Sequence, residues 1–220
     1  LTTNGTRIHE FIDILQQANI QSLNISLDTL QPDTFLLLTR RNQFQTVMNN
    51  IQLLLDKNFH VKVNVVVMKG INDKEILDFV AWTKDSPIHV RFIEFMPFDG
   101  NHWKSDKVIT MAEMLSLIGE SFDYTRLEDE KHDTAKKFQV PGHAGTFAMI
   151  TTMSANFCGD CNRLRLTADG KMKNCLFSEK ESDLLTAMRN GKPVLPLIHQ
   201  NILQKAASLG GQFPPDFQQI

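Results

Sequence analysis

Short apolar runs alternate with amphipathic helical stretches from the first residues of the chain to about residue 100. Residues 23–27 and 90–94 are predicted strands, and residues 61–68 are predicted as a nearly continuous buried strand. In residues 44–55, apolar side chains recur at steps of three and four, as they do on one face of a helix. Strands that alternate with helices pair in parallel, because each helix carries the chain back across the sheet. The sequence therefore predicts an α/β fold.

The loops that follow these strands are polar. After the second strand, Gly70 allows a turn, and Asp73 can cap a helix that runs through Trp82 and is closed by Pro87. In parallel α/β proteins the functional groups gather at the carboxyl ends of the strands. We therefore expect a binding site along this edge of the sheet.

The first five residues look like the end of a strand. They have neither the basic start nor the apolar stretch of a signal peptide, and no initiator Met precedes them. We therefore expect the chain to be a piece of a longer protein.

From about residue 105 the pattern changes to α+β. A helix is predicted at 111–118, Ala168-Asp169-Gly170-Lys171 is a strong hairpin turn between two strands, and helical stretches are predicted at 181–190 and 195–208. Three further short strands are predicted, at 122–125, 137–140 and 146–150. We therefore predict two domains, residues 1–105 and 106–220.

Charge and hydropathy argue against two classes of partner. Lys and Arg total 23 against 25 for Asp and Glu, so no overall basic field favours nucleic acid. The longest apolar run is interrupted by Lys62 and Asn64 and falls far short of the roughly 20 residues that a membrane span requires. We expect a globular protein that binds neither nucleic acid nor membrane and recognises its partners at local sites.

The cysteines indicate a metal site. Cys158 and Cys161 form a C-x-x-C pair, and Cys175 returns across the predicted hairpin, so three thiolates can converge. A structural zinc needs a fourth ligand, for which His132 or His143 would have to serve. A [4Fe–4S] cluster on three cysteines instead leaves one iron open to an outside ligand. The spacing alone leaves both metals open, with reduced structural thiols as a third interpretation.

Two arginines follow the C-x-x-C pair. Arg163 and Arg165 alternate along a predicted strand, so both can point toward the metal. Guanidinium groups bind phosphates and base edges well. Without a metal site beside them, solvated strand arginines would be the simpler interpretation.

Five motifs, taken together, resemble those of the GTP 3′,8-cyclases, the family of molybdenum cofactor biosynthesis protein A. They are TTNG at 2–5, NISLDTL at 24–30, VKVNVVVMKG at 61–70, RFIEFMP at 91–97 and FCGDCNRLRLT at 157–167. The resemblance implies the second half of an incomplete radical SAM (β/α)6 TIM-like barrel, followed by an α+β C-terminal domain with an iron–sulfur site. It also implies that the intact enzyme converts GTP to (8S)-3′,8-cyclo-7,8-dihydroguanosine 5′-triphosphate, using S-adenosylmethionine and two [4Fe–4S] clusters.

The resemblance assigns roles to individual residues. It implies that the second cluster is bound by Cys158, Cys161 and Cys175. It implies that GTP contacts Thr2, Lys62, Arg163, Leu164 and Arg165. It implies that S-adenosylmethionine contacts Ser26 and Met96. Judged without the resemblance, Ser26 is a small strand residue, Met96 fills a core and Lys62 is an edge charge. The family further implies a homodimer in the cytoplasm, or in the mitochondrial matrix of a eukaryote.

The chain departs from the family pattern in two places. It contains no C-x-x-x-C-x-x-C segment, which holds the radical-generating cluster in this superfamily, so we expect this chain alone to be inactive. Gly210 and Gly211 are interpreted as a helix stop rather than as the family's terminal glycine pair. Two other functions stay open: a zinc-stabilised nucleotide-binding module without catalysis, and a different radical SAM enzyme with an auxiliary cluster.

Overall fold

The computed structural model describes residues 1–98, 100–155 and 158–212. The strands are β1 (Thr2–Thr3), β2 (Ser22–Ser26), β3 (His60–Val67), β4 (His89–Glu94), β5 (Thr125–Arg126), β6 (Ala135–Gln139), β7 (Thr146–Ile150), β8 (Arg165–Leu166), β9 (Lys171–Lys173) and β10 (Ser182–Asp183). The helices are α1 (Ile12–Gln17), α2 (Pro32–Thr39), α3 (Phe44–Asp56), α4 (Ile76–Trp82), α5 (Met111–Gly119), α6 (Leu184–Arg189) and α7 (Leu195–Leu203). None of the helices within these ranges is long and apolar enough to cross a membrane.

The chain divides into two compact units. The first comprises Leu1–Pro97 and Asn101–Thr151, and the second comprises the described residues from Thr152 onward together with Phe98 and Gly100. The predicted division between residues 105 and 106 follows a change in sequence pattern and stays a prediction about domains.

The first unit is built on a mixed sheet. Its strand order is β1-β2-β3-β4-β7-β6-β5, in which β1 to β4 and β7 pair in parallel and β6 pairs antiparallel with both β7 and β5. The predicted α/β class is therefore confirmed, and the predicted strands at 23–27, 61–68 and 90–94 correspond to β2, β3 and β4. The antiparallel pair belongs to the region whose pattern predicts α+β structure.

One face of this sheet packs into the core. On α3, Val47, Ile51 and Leu54 are fully buried at helical spacing, as the sequence predicts, and α3 contacts β3. The strand itself differs from the prediction, because its burial alternates: every second residue from Val61 to Val67 is buried, whereas the residues between them are only half-buried. One face of β3 therefore stays available for a site.

Several predicted boundaries are wrong for local reasons. Helix α4 ends at Trp82, well before Pro87. Phe122 is not in a strand, because its N–H bonds to Ile118 O and continues the turn that ends α5. The helix predicted at 181–190 begins only at Leu184, after β10. Helix α7 ends at Leu203, so the glycine pair is not its stop but lies in a later short 3-10 turn, Leu209–Gly211.

The second unit contains a small antiparallel sheet of order β10-β9-β8. The predicted hairpin is confirmed, since β8 and β9 are antiparallel and the chain turns between Thr167 and Lys171. Gly170 occupies this turn with φ of +77°, and a Cβ there would also collide with Leu185. The hairpin thereby places residues 165 and 173 side by side.

Candidate functional site

The exposed face of the first sheet carries a row of polar residues at one level. In register across the parallel strands stand Thr2, Asn24, Lys62, His89 and Thr146. Because directly opposed residues of neighbouring strands point to the same side, these side chains share one face. A second row, two residues toward the carboxyl ends, contains Ser26, Asn64 and Arg91. The structure thus brings the predicted Thr2, Ser26 and Lys62 onto one surface.

Lys62 borders a polar cavity of the first unit. Its volume is about 440 Å³, within the range of small-ligand pockets. The lining residues are His60, Lys62, His89, Arg91, Glu130, Asp133, Thr134, Ala135, Lys137 and Thr146. Lys137 forms an ion pair of 2.6 Å with Asp133, which leaves Lys62 and Arg91 as the cations of the β3 and β4 wall.

Burial perturbs the two β4 residues of this cavity. Burial lowers the pKa of His89 to about 4, with further lowering by the charges of Arg91 and Lys62, so the ring is neutral at physiological pH. The ring Nδ1 lies 2.6 Å from the Thr146 hydroxyl oxygen. Arg91 Nε donates to Asn64 Oδ1 at 2.8 Å, which fixes the guanidinium on this face. Two cations kept beside a neutral ring suit an anionic ligand.

The other predicted residues of this unit lie on the edge strand β1, at the end of β2 and just beyond β4. Thr2 Oγ1 accepts a hydrogen bond of 3.0 Å from Asn24 Nδ2. Ser26 is exposed at the carboxyl end of β2. Met96 is half-buried just beyond β4, and its carbonyl accepts from Asn101 Nδ2 at 2.8 Å. Ser26 and Met96 therefore both lie where parallel strands end, the edge at which the sequence predicts a site.

Buried polar groups tie the loops of that edge together. The Asp28 carboxylate accepts the Val66 N–H at 2.8 Å, and burial raises the pKa of Asp28 above its ordinary value. Asn72 Nδ2 donates to Asp28 O and to Val66 O, at 2.6 and 2.9 Å. These bonds hold the segments after β2 and within β3 in one arrangement, and so they position the end of β2 that carries Ser26.

The three cysteines line one cavity of the second unit. Cys158 begins a short 3-10 turn that ends at Asp160, Cys161 follows this turn, and Cys175 follows β9. The complete lining is Thr152, Cys158, Cys161, Arg163, Arg165, Cys175, Leu176, Phe177 and Leu209. All three thiols are free and half-buried. The structure therefore brings together the predicted metal ligands and the two predicted arginines.

The thiols receive hydrogen bonds from the chain after α7. Lys205 Nζ lies 3.4 Å from Cys161 Sγ, and the Leu209 N–H donates to Cys158 Sγ at 3.3 Å. Burial alone would raise the pKa of the Cys161 thiol. The hydrogen bonds from Arg163 and Lys205 outweigh burial and lower that pKa, which favours the thiolate that metals bind.

The arginines reach this cavity in an unexpected way. Arg165 begins β8, but Arg163 lies before the strand, so strand alternation does not explain their common direction. Leu164 between them is 42% exposed and is not part of the cavity lining. Both arginines are exposed, so a ligand can reach their guanidinium groups from solvent.

The side chains that line this cavity are of the types that bind iron–sulfur clusters. Three thiols share a cavity whose other walls include Leu176, Phe177 and Leu209, and N–H groups point at two of the sulfurs. Hydrogen bonds to sulfur and an apolar surround are the features by which proteins adjust such clusters. Within the described residues, however, no group of three or more His, Cys, Asp or Glu side chains is placed to hold one metal ion, so the three cysteines share a cavity without forming a closed site for a single ion.

The histidines considered as a fourth zinc ligand belong to the first unit. His143 Nδ1 is 2.9 Å from the Thr83 hydroxyl oxygen, and its ring packs edge-on against Phe122. His132 precedes β6 with φ of +70°.

Sequence reasoning missed the residues that support both sites. His89 and Asn64 were not singled out, although the alternation of polar residues along β3 and β4 could have indicated them. No local pattern could have indicated Lys205, which contacts Cys161 across 44 positions of sequence.

Comparison with known proteins gives two family matches. Residues 88–209, more than half of the chain, match Molybdenum Cofactor Synthesis C. Residues 1–83 match the radical SAM superfamily.

Individual relatives agree with these matches. A Dictyostelium discoideum protein named molybdenum cofactor biosynthesis protein 1 is 45% identical over 97% of this chain and 35% of its own length. The mitochondrial GTP 3′,8-cyclase of Arabidopsis thaliana is 46% identical over 87% of this chain and 50% of its own length. The GTP 3′,8-cyclase of Desulforamulus reducens is 43% identical over 87% of this chain and 60% of its own length. The chain thus spans between about a third and three fifths of these relatives.

A solved structure of TYW1 with a lysine-pyruvate adduct bound is a more distant match. It has a TM-score of 0.41 and 19% identity, over 59% of this chain and 42% of that one, and a likeness of this size supports no argument.

Proposed function

We propose, because this chain belongs to the molybdenum cofactor synthesis C family, that it is part of an enzyme that converts GTP to (8S)-3′,8-cyclo-7,8-dihydroguanosine 5′-triphosphate. Relatives named GTP 3′,8-cyclase support this activity, at 43% and 46% identity. The match of residues 1–83 to the radical SAM superfamily supports S-adenosylmethionine as the co-substrate and iron–sulfur clusters as cofactors. Because the chain spans only part of its relatives, the activity is proposed for the whole protein.

One observation carries the proposal: three thiols and two guanidinium groups line a single cavity. Cys158, Cys161 and Cys175 would hold the second [4Fe–4S] cluster. Held by these three thiolates, such a cluster would leave one iron open to an outside ligand, which would be the guanine of GTP. Arg163 and Arg165 supply hydrogen-bond donors for base edges or phosphate at the same cavity.

Residues of the first unit would hold the remainder of the substrates. Lys62 and Thr2 share a row on one sheet face, and Lys62 borders the polar cavity, whose cations Lys62 and Arg91 would bind the triphosphate. Holding both reactants in place can supply on the order of 7–11 kcal/mol of a barrier, so a rigid arrangement of these groups matters. Ser26 and Met96, near the carboxyl ends of β2 and β4, would contact S-adenosylmethionine.

We assign the sheet of the first unit to part of an incomplete (β/α)6 barrel. The parallel strands β1 to β4, with helices between them, support this assignment. The intact protein would be a homodimer of the cytoplasm, or of the mitochondrial matrix in a eukaryote, as the mitochondrial Arabidopsis relative suggests. This chain alone would not cleave S-adenosylmethionine, because it holds no C-x-x-x-C-x-x-C segment.

Metal analysis of the purified chain tests the cysteine site. After anaerobic reconstitution with iron and sulfide, we expect iron and sulfide in equal amounts, and GTP should change the spectrum of the cluster. Zinc bound in place of iron would refute the cyclase assignment in favour of a zinc-stabilised module. A cluster whose spectrum GTP leaves unchanged would favour a different radical SAM enzyme.

Titration with GTP and guanosine tests the first unit. Lys62→Met should weaken GTP binding at least about tenfold, because a charge-assisted bond to phosphate is lost, while guanosine binding stays unchanged. Lys57→Met is the matched control, since Lys57 is exposed after α3 and does not border the polar cavity. Equal GTP affinity in the wild type and in Lys62→Met would remove Lys62 from the site.

A further inference from the structure

The chain after α7 closes the cysteine cavity from one side. This post-α7 segment, residues 204–211, reaches both cysteine loops of the second unit. Lys205 Nζ donates to Cys161 O at 2.7 Å and to Arg163 O at 3.1 Å, and it lies 3.4 Å from Cys161 Sγ. Four residues later, the Leu209 N–H donates to Cys158 Sγ. Both members of the C-x-x-C pair are therefore contacted by one short segment.

The same segment is fitted against the third cysteine's loop. Leu209 is buried and lines the cysteine cavity. Gly210 has φ of +67°, and a Cβ at this position would lie 2.8 Å from the backbone of Phe177 and of Ser178. Because the two backbones meet this closely, the segment also fixes the chain just after Cys175.

Three acceptors make the position of the Lys205 ammonium specific. An ammonium has three N–H donors, and here the two carbonyls and the sulfur can each take one. The side chain is half-buried, so its charge acts on the sulfur through less water than a surface lysine would. A solvated surface lysine would not have these fixed acceptors.

We propose that Lys205 is a positioning residue of the cluster site: it fixes the Cys161–Arg163 turn and its positive charge makes a cluster bound there easier to reduce. This inference rests on the proposed function, since it concerns the second [4Fe–4S] cluster. Reduction adds negative charge to a cluster and its sulfurs. A cation with an N–H directed at one ligand sulfur stabilises that reduced form, and hydrogen bonds to sulfur are a known determinant of cluster potential.

Two substitutions at Lys205 compare a neutral N–H donor with a charged one. Lys205→Gln keeps N–H donors on a shorter side chain but removes the charge, whereas Lys205→Arg keeps the charge. Lys192→Gln is the matched control. Lys192 is exposed after α6 and does not line the cysteine cavity, so this substitution removes the same charge elsewhere.

The measurement is the reduction potential of the cluster in the reconstituted full chain, detected by electron paramagnetic resonance. The iron content per chain is determined in parallel. We expect a more negative potential for Lys205→Gln, and potentials near the wild-type value for Lys205→Arg and Lys192→Gln. An unchanged potential in Lys205→Gln with its iron retained would overturn the inference. If Lys205→Gln loses its iron, the iron content of Lys205→Arg decides the question. Iron retained in Lys205→Arg would support the role of the charge, and iron lost from Lys205→Arg would refute it. A wild-type chain that binds no cluster would instead refute the proposed function, before any variant is made.

Discussion

His89 makes the first unit less stable as the pH becomes acidic. Burial, together with the charges of Arg91 and Lys62, lowers the pKa of His89 from 6.5 to about 4. The unfolded chain therefore takes up this proton near pH 6.5, whereas the folded chain takes it up only near pH 4. At about 1.4 kcal/mol per pKa unit, the neutral buried ring contributes about 3 kcal/mol. This contribution is complete above pH 6.5 and is lost as the pH falls toward 4.

Urea unfolding of the wild type and of His89→Gln checks this value. Glutamine does not titrate and can still bond to the Thr146 hydroxyl, so carboxylates that protonate in acid affect both proteins alike. The wild type should lose about 3 kcal/mol more than His89→Gln between pH 7 and pH 4. Proton NMR of the ring gives the folded-state pKa directly. Equal acid losses in the two proteins, or a ring that titrates near its ordinary pKa of 6.5, would refute the reasoning.

Three further substitutions test separate parts of the structure. Gly210→Ala should destabilise the second unit by about 2 kcal/mol, because alanine at positive φ is strained and its Cβ meets the Phe177 backbone. We expect reduced iron binding and a lower midpoint of urea unfolding, and an unchanged midpoint would contradict this prediction. Asp28→Asn should leave the free energy of unfolding at neutral pH unchanged or higher. Burial raises the pKa of the Asp28 carboxyl, so its charged form is disfavoured in the fold, and the neutral amide can still accept the Val66 N–H. A clear loss in the measured free energy of unfolding would contradict this prediction. Phe92→Ala should lower the free energy of unfolding by about 3–5 kcal/mol, since the ring is fully buried. A measured loss below about 1 kcal/mol would contradict this prediction and show that neighbouring side chains fill the cavity.

The chemical types at the cysteine site could be predicted from local sequence. A C-x-x-C pair, a third cysteine beyond a hairpin and two nearby arginines are all visible within one stretch of chain. The structure confirms that these side chains line one cavity. The prediction that Arg163 and Arg165 share a direction because they alternate along a strand was wrong, since Arg163 precedes β8 and lines the cavity from an irregular segment.

The fold class could be predicted because hydrophobic periodicity is a local signal. Helix α3 and strands β2 to β4 follow it closely. Element ends were less predictable, because caps and turns depend on single hydrogen bonds: α7 ends at Leu203, and Phe122 continues a helical turn. The burial of β3 was overestimated, because a run of apolar residues does not reveal that one face of a sheet stays open.

The amino-acid sequence by itself determined which elements form and which side chains can bind metal and phosphate, since these depend on residue type and short spacing. Only the tertiary structure decided which distant groups meet: Lys205 with Cys161, and Lys62 with His89 across neighbouring strands. The physical reason is that strand register and loop packing are set by the burial of many side chains at once. That collective arrangement also sets the surroundings of each group, and therefore its pKa and its partners.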